Sequence, residues 1–146
     1  MAINLEHLII EPVLPAEPGD VEELTTQLRA YNHDKLWQNV KQPIGCFIRD
    51  LEGKLIGGVF GFNSWGWLNI ELVWVDENYR DNDLATKMME KMEQYSIIEG
   101  LSRIKLETGS FQALDFYKKL GFEVYAELDD YPVGQTNYYL KKILES

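Results

Sequence analysis

Cysteine is almost absent. Cys46 is the only one in 146 residues, so no intramolecular disulfide can form and a cytoplasmic setting is the natural expectation. It lies in the apolar run PIGCFIRD, where a small core residue in a strand is the expected role rather than a nucleophile. Histidine is nearly as scarce: His7 and His33 are too isolated for a triad or a metal centre. No Gly-x-Ser-x-Gly and no paired ligand spacing occur either, so no metal is expected. Basic residues are outnumbered, 14 against 24 acids, for a net charge of −10. That balance argues against a nucleic-acid or anionic-membrane partner and suits either a cationic substrate or plain solubility. No hydrophobic run approaches a membrane span, and the start MAINLEHLIIEPVL lacks the basic opening of a signal peptide.

What is present is an ordinary globular composition, 45% apolar and 26% charged, which predicts one domain over residues 1–146 with a substantial core. HLIIEPV reads as a strand ended by LPAEPG. Asp20, with Glu23 three residues on, forms a capping-box pattern. Val21, Leu24, Leu28 and Tyr31 then predict a helix over about 20–32. HDKLWQNVKQP is either a short helix or an ordered loop. The period then changes to two. IGCFIRD, the turn LEGK, and LIGGVFGF predict a hairpin, and after NSWG the run WLNIELVWV adds a third strand. Its alternation sets Leu68, Ile70, Leu72 and Trp74 on one face and Asn69, Glu71, Val73 and Val75 on the other. Helical spacing returns at Leu84, Met88, Met92 and Tyr95, closed by Glu99–Gly100. SRIKLET is a strand. SFQALDFYKKLG is a short helix with Gly121 at a left-handed C-cap. FEVYAEL and TNYYLKKIL are two further strands around DDYPVGQ. The order predicts a mixed α/β fold.

One junction is distinctive. The strand IELVWVDENYR runs through RDNDLA into a long helix, the geometry that holds phosphate on free N–H groups and a helix dipole. Such turns normally carry glycine; here Asp81, Asn82 and Asp83 stand in it. Asp83 would also cap the helix beginning at Leu84.

This order of elements, with IELVWVDENYRDNDLA and SFQALDFYKKLGFEVYAEL inside it, resembles the GNAT superfamily of acyl-CoA-dependent N-acyltransferases over roughly residues 44–144. In the first motif Arg80 and Ala85 match the family's Arg/Gln-x-x-Gly-x-Gly/Ala turn, and Asp83 replaces a glycine. In the second, Ala113, Tyr117, Gly121 and Phe122 match, and Ser110 replaces an asparagine. The resemblance implies a single-domain, mostly antiparallel sheet of about seven strands flanked by helices. It also implies acetyl transfer from acetyl-CoA, as co-substrate, to a primary amine.

On that resemblance Val73 and Val75 offer main-chain groups to the pantetheine arm. Arg80, Asp81, Asn82, Asp83, Leu84 and Ala85, with Ser110 and Ala113, hold the rest of the coenzyme, and Lys118 or Lys119 reaches its nucleotide end. Tyr117 protonates the departing thiolate, since a phenol is neutral at pH 7. Glu71 accepts the amine proton. Asp129 and Asp130 would draw a small cationic amine, with Tyr31, Trp65 and Tyr131 as aromatic walls. A homodimer is compatible with the resemblance. The alternative is a degenerate member of the fold that binds a small molecule or protein without catalysis.

Overall fold

Alternating apolar residues from Gln42 onward do form strands, and the helical spacings between them do form helices. A computed structural model describes residues 2–35 and 41–144. The chain divides into two compact units, Met1–Asn39 and Val40–Ser146. The first contains helix α1, Pro18–Lys35. It begins earlier than Asp20 because Pro18 suits a first helical turn, and the Glu17 carbonyl accepts from the Asp20 and Val21 N–H groups. Asp20 is therefore inside the first turn rather than at the cap. The expected strand at HLIIEPV does not form: apolar content does not make a strand without a ladder. Ile9 and Ile10 are each 88% exposed. Of the ambiguous segment HDKLWQNVKQP, residues 33–35 extend α1, and residues 36–40 lie outside the described residues.

The second unit holds the sheet. Its strands are β1 (Gln42–Arg49), β2 (Leu55–Ser64), β3 (Trp67–Val75), β4 (Arg103–Gly109), β5 (Glu123–Asp129) and β6 (Thr136–Ile143). They lie in the order β1-β2-β3-β4-β6-β5. Every neighbouring pair is antiparallel except β3 and β4, so the α/β, mostly antiparallel architecture is as expected, with six strands. Helix α2 (Leu84–Ile98) carries the crossover between the parallel strands, and α3 (Leu114–Lys119) follows β4.

The core runs along α2. Met88, Met89 and Met92 pack with Val59, Leu68, Ile70, Ile104, Leu106 and Leu140, and Cys46 packs against this cluster as a small core residue. Burial of such side chains, each worth about 1.5–3 kcal/mol, holds helix to sheet. Lys142 on β6 adds a polar tie. Its Nζ donates to Glu93 Oε1 at 2.8 Å and to the Leu120 carbonyl at 2.6 Å, joining α2 and the end of α3.

One irregularity in β3 changes the faces. Phe60 pairs with Leu72 and Gly61 with Ile70, leaving Glu71 as an extra residue. This β-bulge puts two residues on β3 against one step of β2. Strict alternation fails beyond it: Leu72 and Trp74 are 63% and 46% exposed, whereas Val73 and Val75 pack on the core with Ile70. Gly61 permits the bulge, because a Cβ there would overlap the Asn69 carbonyl.

Candidate active site

The bulge lies beside a gap in the sheet. β3 and β4 pair only at Leu68↔Ile104, Asn69↔Lys105 and Ile70↔Leu106, yet β3 continues to Val75 and β4 to Gly109. Past Ile70 and Leu106 the facing edges share no ladder, so their N–H and C=O groups are available to something else. A cleft of about 710 Å³ opens there, lined by Glu71, Leu72, Glu107, Gln112, Asn137 and Tyr139, among others. Glu71 thus lies at the mouth of the gap.

Glu107, Asn137 and Gln112 had not been singled out in the sequence. The alternation in RIKLETG sets Lys105 and Glu107 on one face, but no local pattern shows that this face meets Glu71. Asn137 is only 6% exposed and its Nδ2 has no hydrogen-bond partner among the described residues, an uncompensated donor in the cleft wall. Gln112 Oε1 accepts from the Gly109 N–H at 2.7 Å, closing the end of β4.

The RDNDLA turn borders a second cavity, of about 370 Å³, lined by Val75, Arg80, Asp81, Asp83, Ala85 and Lys119 among others. Lys118 does not line it. Asp81 and Asp83 both take left-handed backbone angles, φ 65° and 58°, a conformation Asp tolerates better than most residues. Asp83 does not cap α2 as expected: it makes no side-chain bond to the helix. A capping side chain needs extended backbone at that position, and φ 58°, ψ 23° denies it. The first helical bond is Lys87 N–H to the Asp83 carbonyl, so the N–H groups of Leu84, Ala85 and Thr86 stay outside the helical ladder. Asn82 braces the turn by donating from Nδ2 to the Tyr79 and Arg80 carbonyls, both at 3.0 Å. Arg80 Nε donates to the Val75 carbonyl at 3.1 Å, anchoring the side chain to the end of β3.

A split parallel pair, a bulge at the split and an open helix N-terminus therefore adjoin one another. The sequence profile of the Acetyltransferase (GNAT) family matches residues 12–122, which span all three. The chain belongs to the GNAT acetyltransferase family. It is 37% identical over 93 residues to a blasticidin-S acetyltransferase of Streptomyces morookaense, covering 63% of this chain and 68% of that one. In structure it is similar to an acetyltransferase from Bacillus cereus, with 27% identity, a TM-score of 0.82 and coverage of 92% of this chain and 98% of that one. It is also similar to a protein from Agrobacterium tumefaciens described as an acetyltransferase, with 25% identity, a TM-score of 0.84 and coverage of 94% and 98%.

In this GNAT chain Tyr117 is held tightly. It is 7% exposed and makes edge contacts with Phe116 and Phe122, ring centres 5.1 and 5.9 Å away. Two backbone bonds, Phe122 N–H to the Tyr117 carbonyl and Gly121 N–H to the Lys118 carbonyl, close α3 as a Schellman motif around Gly121 at φ 95°. Burial pushes the Tyr117 phenol up to about 12.

The other expected site residues scatter. The Ser110 hydroxyl is taken up between β4 and β6, donating to Gln135 Oε1 at 2.6 Å and accepting from the Thr136 N–H at 3.1 Å. It lines none of the cavities described here, and its bonds knit the sheet. The Ala113 N–H donates to Thr108 Oγ1 at the start of α3. Asp130 and Tyr131 line a cavity of about 400 Å³ that shares Gln112 and Asn137 with the main cleft. Asp129 lines none of these; its Oδ1 accepts from the Thr136 hydroxyl. Trp65 lines a further groove, described below. Tyr31 belongs to α1 in the first unit and is 60% exposed.

Proposed function

We propose that this GNAT enzyme moves the acetyl group of acetyl-CoA to the primary amine of a small cationic molecule by direct attack on the thioester. One observation carries the reading: the split between β3 and β4 has a two-glutamate cleft on one face and the Arg80 cavity with the open N-terminus of α2 at its end. By strand parity Asn69, Lys105 and Glu107 belong to the cleft face, while Leu68, Ile104 and Leu106 pack towards α2. Donor and acceptor would then reach the gap from different sides.

The chain's groups suit the parts required. The edge of β3 beyond the ladder, around Val73 and the Val75 N–H, supplies main-chain partners for an extended amide-bearing arm, the Val75 carbonyl being held by Arg80. The free N–H groups of Leu84, Ala85 and Thr86, with Arg80 and Lys119, suit a diphosphate. Acetyl-CoA supplies an activated acyl group with a thiolate leaving group. Glu71 takes the proton that the ammonium must lose, directly or through water, before its nitrogen attacks the thioester carbon, and Tyr117 gives one to the departing thiolate. The buried phenol keeps its proton at any working pH, as a donor needs. The name of the Streptomyces relative, a blasticidin-S acetyltransferase, supports a small-molecule acceptor.

A second reading, binding without turnover, is favoured by Asp81 and Asp83 lining the Arg80 cavity, where like charges weaken a diphosphate. The deciding experiment pairs calorimetric titration of acetyl-CoA with release of free coenzyme A across a panel of cationic, neutral and acidic amines. Binding together with release stimulated by cationic amines is expected. Binding without release from any amine would favour the second reading, and release from neutral or acidic amines alone would sink the cationic acceptor.

A further inference from the structure

The cleft does not end at its glutamates. A groove of about 530 Å³ shares Phe62, Asn69, Lys105 and Tyr125 with it and adds Trp65, Trp67 and Lys141. Its charge is opposite to that of the glutamate end, in a chain whose net charge is −10. Lys105 and Lys141 are register partners on β4 and β6, and like charges directly opposite on a sheet repel. Lys141 has some relief, with Glu123 Oε1 at 3.9 Å and the Tyr125 ring 5.9 Å away. Lys105 has no ion-pair partner among the described residues. The repulsion is a standing cost that an anion between the two ammonium groups would remove.

The aromatic wall is also built at a cost. Trp65 takes φ 48° next to Gly66 at φ 82° in the turn between β2 and β3. Two positive φ values in a tight hairpin favour Asn-Gly or Gly-Gly, and a bulky aromatic in the first position is an outlier. Strain of that kind gathers at ligand sites, and this tryptophan lines the groove.

We propose that the groove holds an aromatic ring bearing a carboxylate, which narrows the acceptor proposed above to a dipolar molecule whose cationic group is the amine itself: the amine lies at Glu71 and Glu107, the carboxylate between Lys105 and Lys141. The proposal rests on the acetyl-transfer reading for the amine end only. Spacing agrees with it. Lys105 and Glu107 are two residues apart on one strand face, roughly 7 Å, which matches the amine-to-carboxylate span of a ring substituted at opposite ends.

The probes are 4-(aminomethyl)benzoate, its neutral carboxamide, and benzylamine. Each is titrated into the wild type, the double variant Lys105→Gln/Lys141→Gln and Trp65→Gly, with acetylation rates measured in parallel. The wild type should bind the benzoate about tenfold more tightly than the carboxamide. The double glutamine variant should lose that preference while binding benzylamine at least as tightly as the wild type does, because the change removes positive charge beside a cation. Trp65→Gly, freed of left-handed strain, should melt no lower than the wild type yet bind all three ring ligands more weakly. Equal binding of acid and amide, a preference that survives both glutamines, or full ring affinity in Trp65→Gly would overturn the proposal. Lysine-dependent binding without acetylation would leave the groove standing and remove the transfer reading. Acetylation of all three amines with no preference for the acid would do the reverse.

Discussion

Glu71 and Glu107 each stand one residue beyond Ile70↔Leu106, the last pair of the parallel ladder, and both line the cleft that opens there. Nothing local in either strand relates them; the point at which the ladder ends does. The bulge leaves Glu71 on the face that parity already shares between Asn69 and Glu107, and re-aims only the strand beyond it, turning Leu72 and Trp74 outward and Val73 and Val75 to the core.

Their roles should separate kinetically. Glu71→Gln, which removes the proposed proton acceptor, should lower kcat by about 10²-fold or more with a small change in the KM for the amine. Glu107→Gln should act mainly on that KM, since a carboxylate that only attracts the ammonium stabilises bound substrate and transition state alike. Steady-state rates with a saturating cationic amine would show the split, and a pure KM effect in both variants would remove Glu71 from proton transfer.

Tyr117 makes a pH prediction. Its phenol titrates near 12 in the folded chain instead of 10, because burial penalises the phenolate. The raised value means its contribution to stability is complete below pH 10 and is lost as pH rises from 10 towards 12, at about 1.4 kcal/mol per pH unit. Denaturant melts between pH 8 and 11 should show this loss in the wild type and not in Tyr117→Phe. The same variant should lower kcat at neutral pH with acetyl-CoA affinity unchanged; an unaltered rate would take Tyr117 out of the chemistry.

Asp83 tests charge against backbone in the Arg80 turn. Asp83→Gly removes both the carboxylate and the cost of a left-handed side-chain residue, about 1 kcal/mol. Asp83→Asn removes the charge alone. Both should bind acetyl-CoA more tightly than the wild type, and only the glycine variant should gain thermal stability. If neither tightens binding, the carboxylate does not face the diphosphate.

Gly61 is the hinge of the design. A methyl there would collide with the Asn69 carbonyl, a backbone atom that moves only by shifting β3. Gly61→Ala should destabilise the fold by about 1–3 kcal/mol and lower activity beyond what its melting curve explains, because the displaced segment carries Glu71. A stable Gly61→Ala enzyme with full activity would mean the bulge is dispensable.

Much of the architecture was legible residue by residue. The switch from period two to helical spacing located every strand of the sheet and both of its helices, and Gly121 marked the left-handed end of α3. These are local properties, set by side-chain spacing and by backbone angles that glycine alone takes freely. HLIIEPV misled because an apolar, β-branched run has strand propensity but no strand without a neighbour to bond. Asp83 misled because its residue type suits a cap while its backbone angles do not. Ser110 took the place of a family asparagine, and its hydroxyl bonds across to β6 instead.

The amino-acid sequence by itself determined the order and type of the sheet's elements, the acids in the RDNDLA turn and the position of Tyr117 on the buried face of α3. Tertiary structure alone decided which side chains share a site. A strand's two-residue period assigns faces only until a residue is inserted, and where β3 accepts its extra residue depends on Gly61 across the sheet. The gap between β3 and β4, and with it the meeting of Glu71, Glu107 and Asn137, exists because pairing stops at Ile70 and Leu106. That is a property of three strands together and is written in none of them.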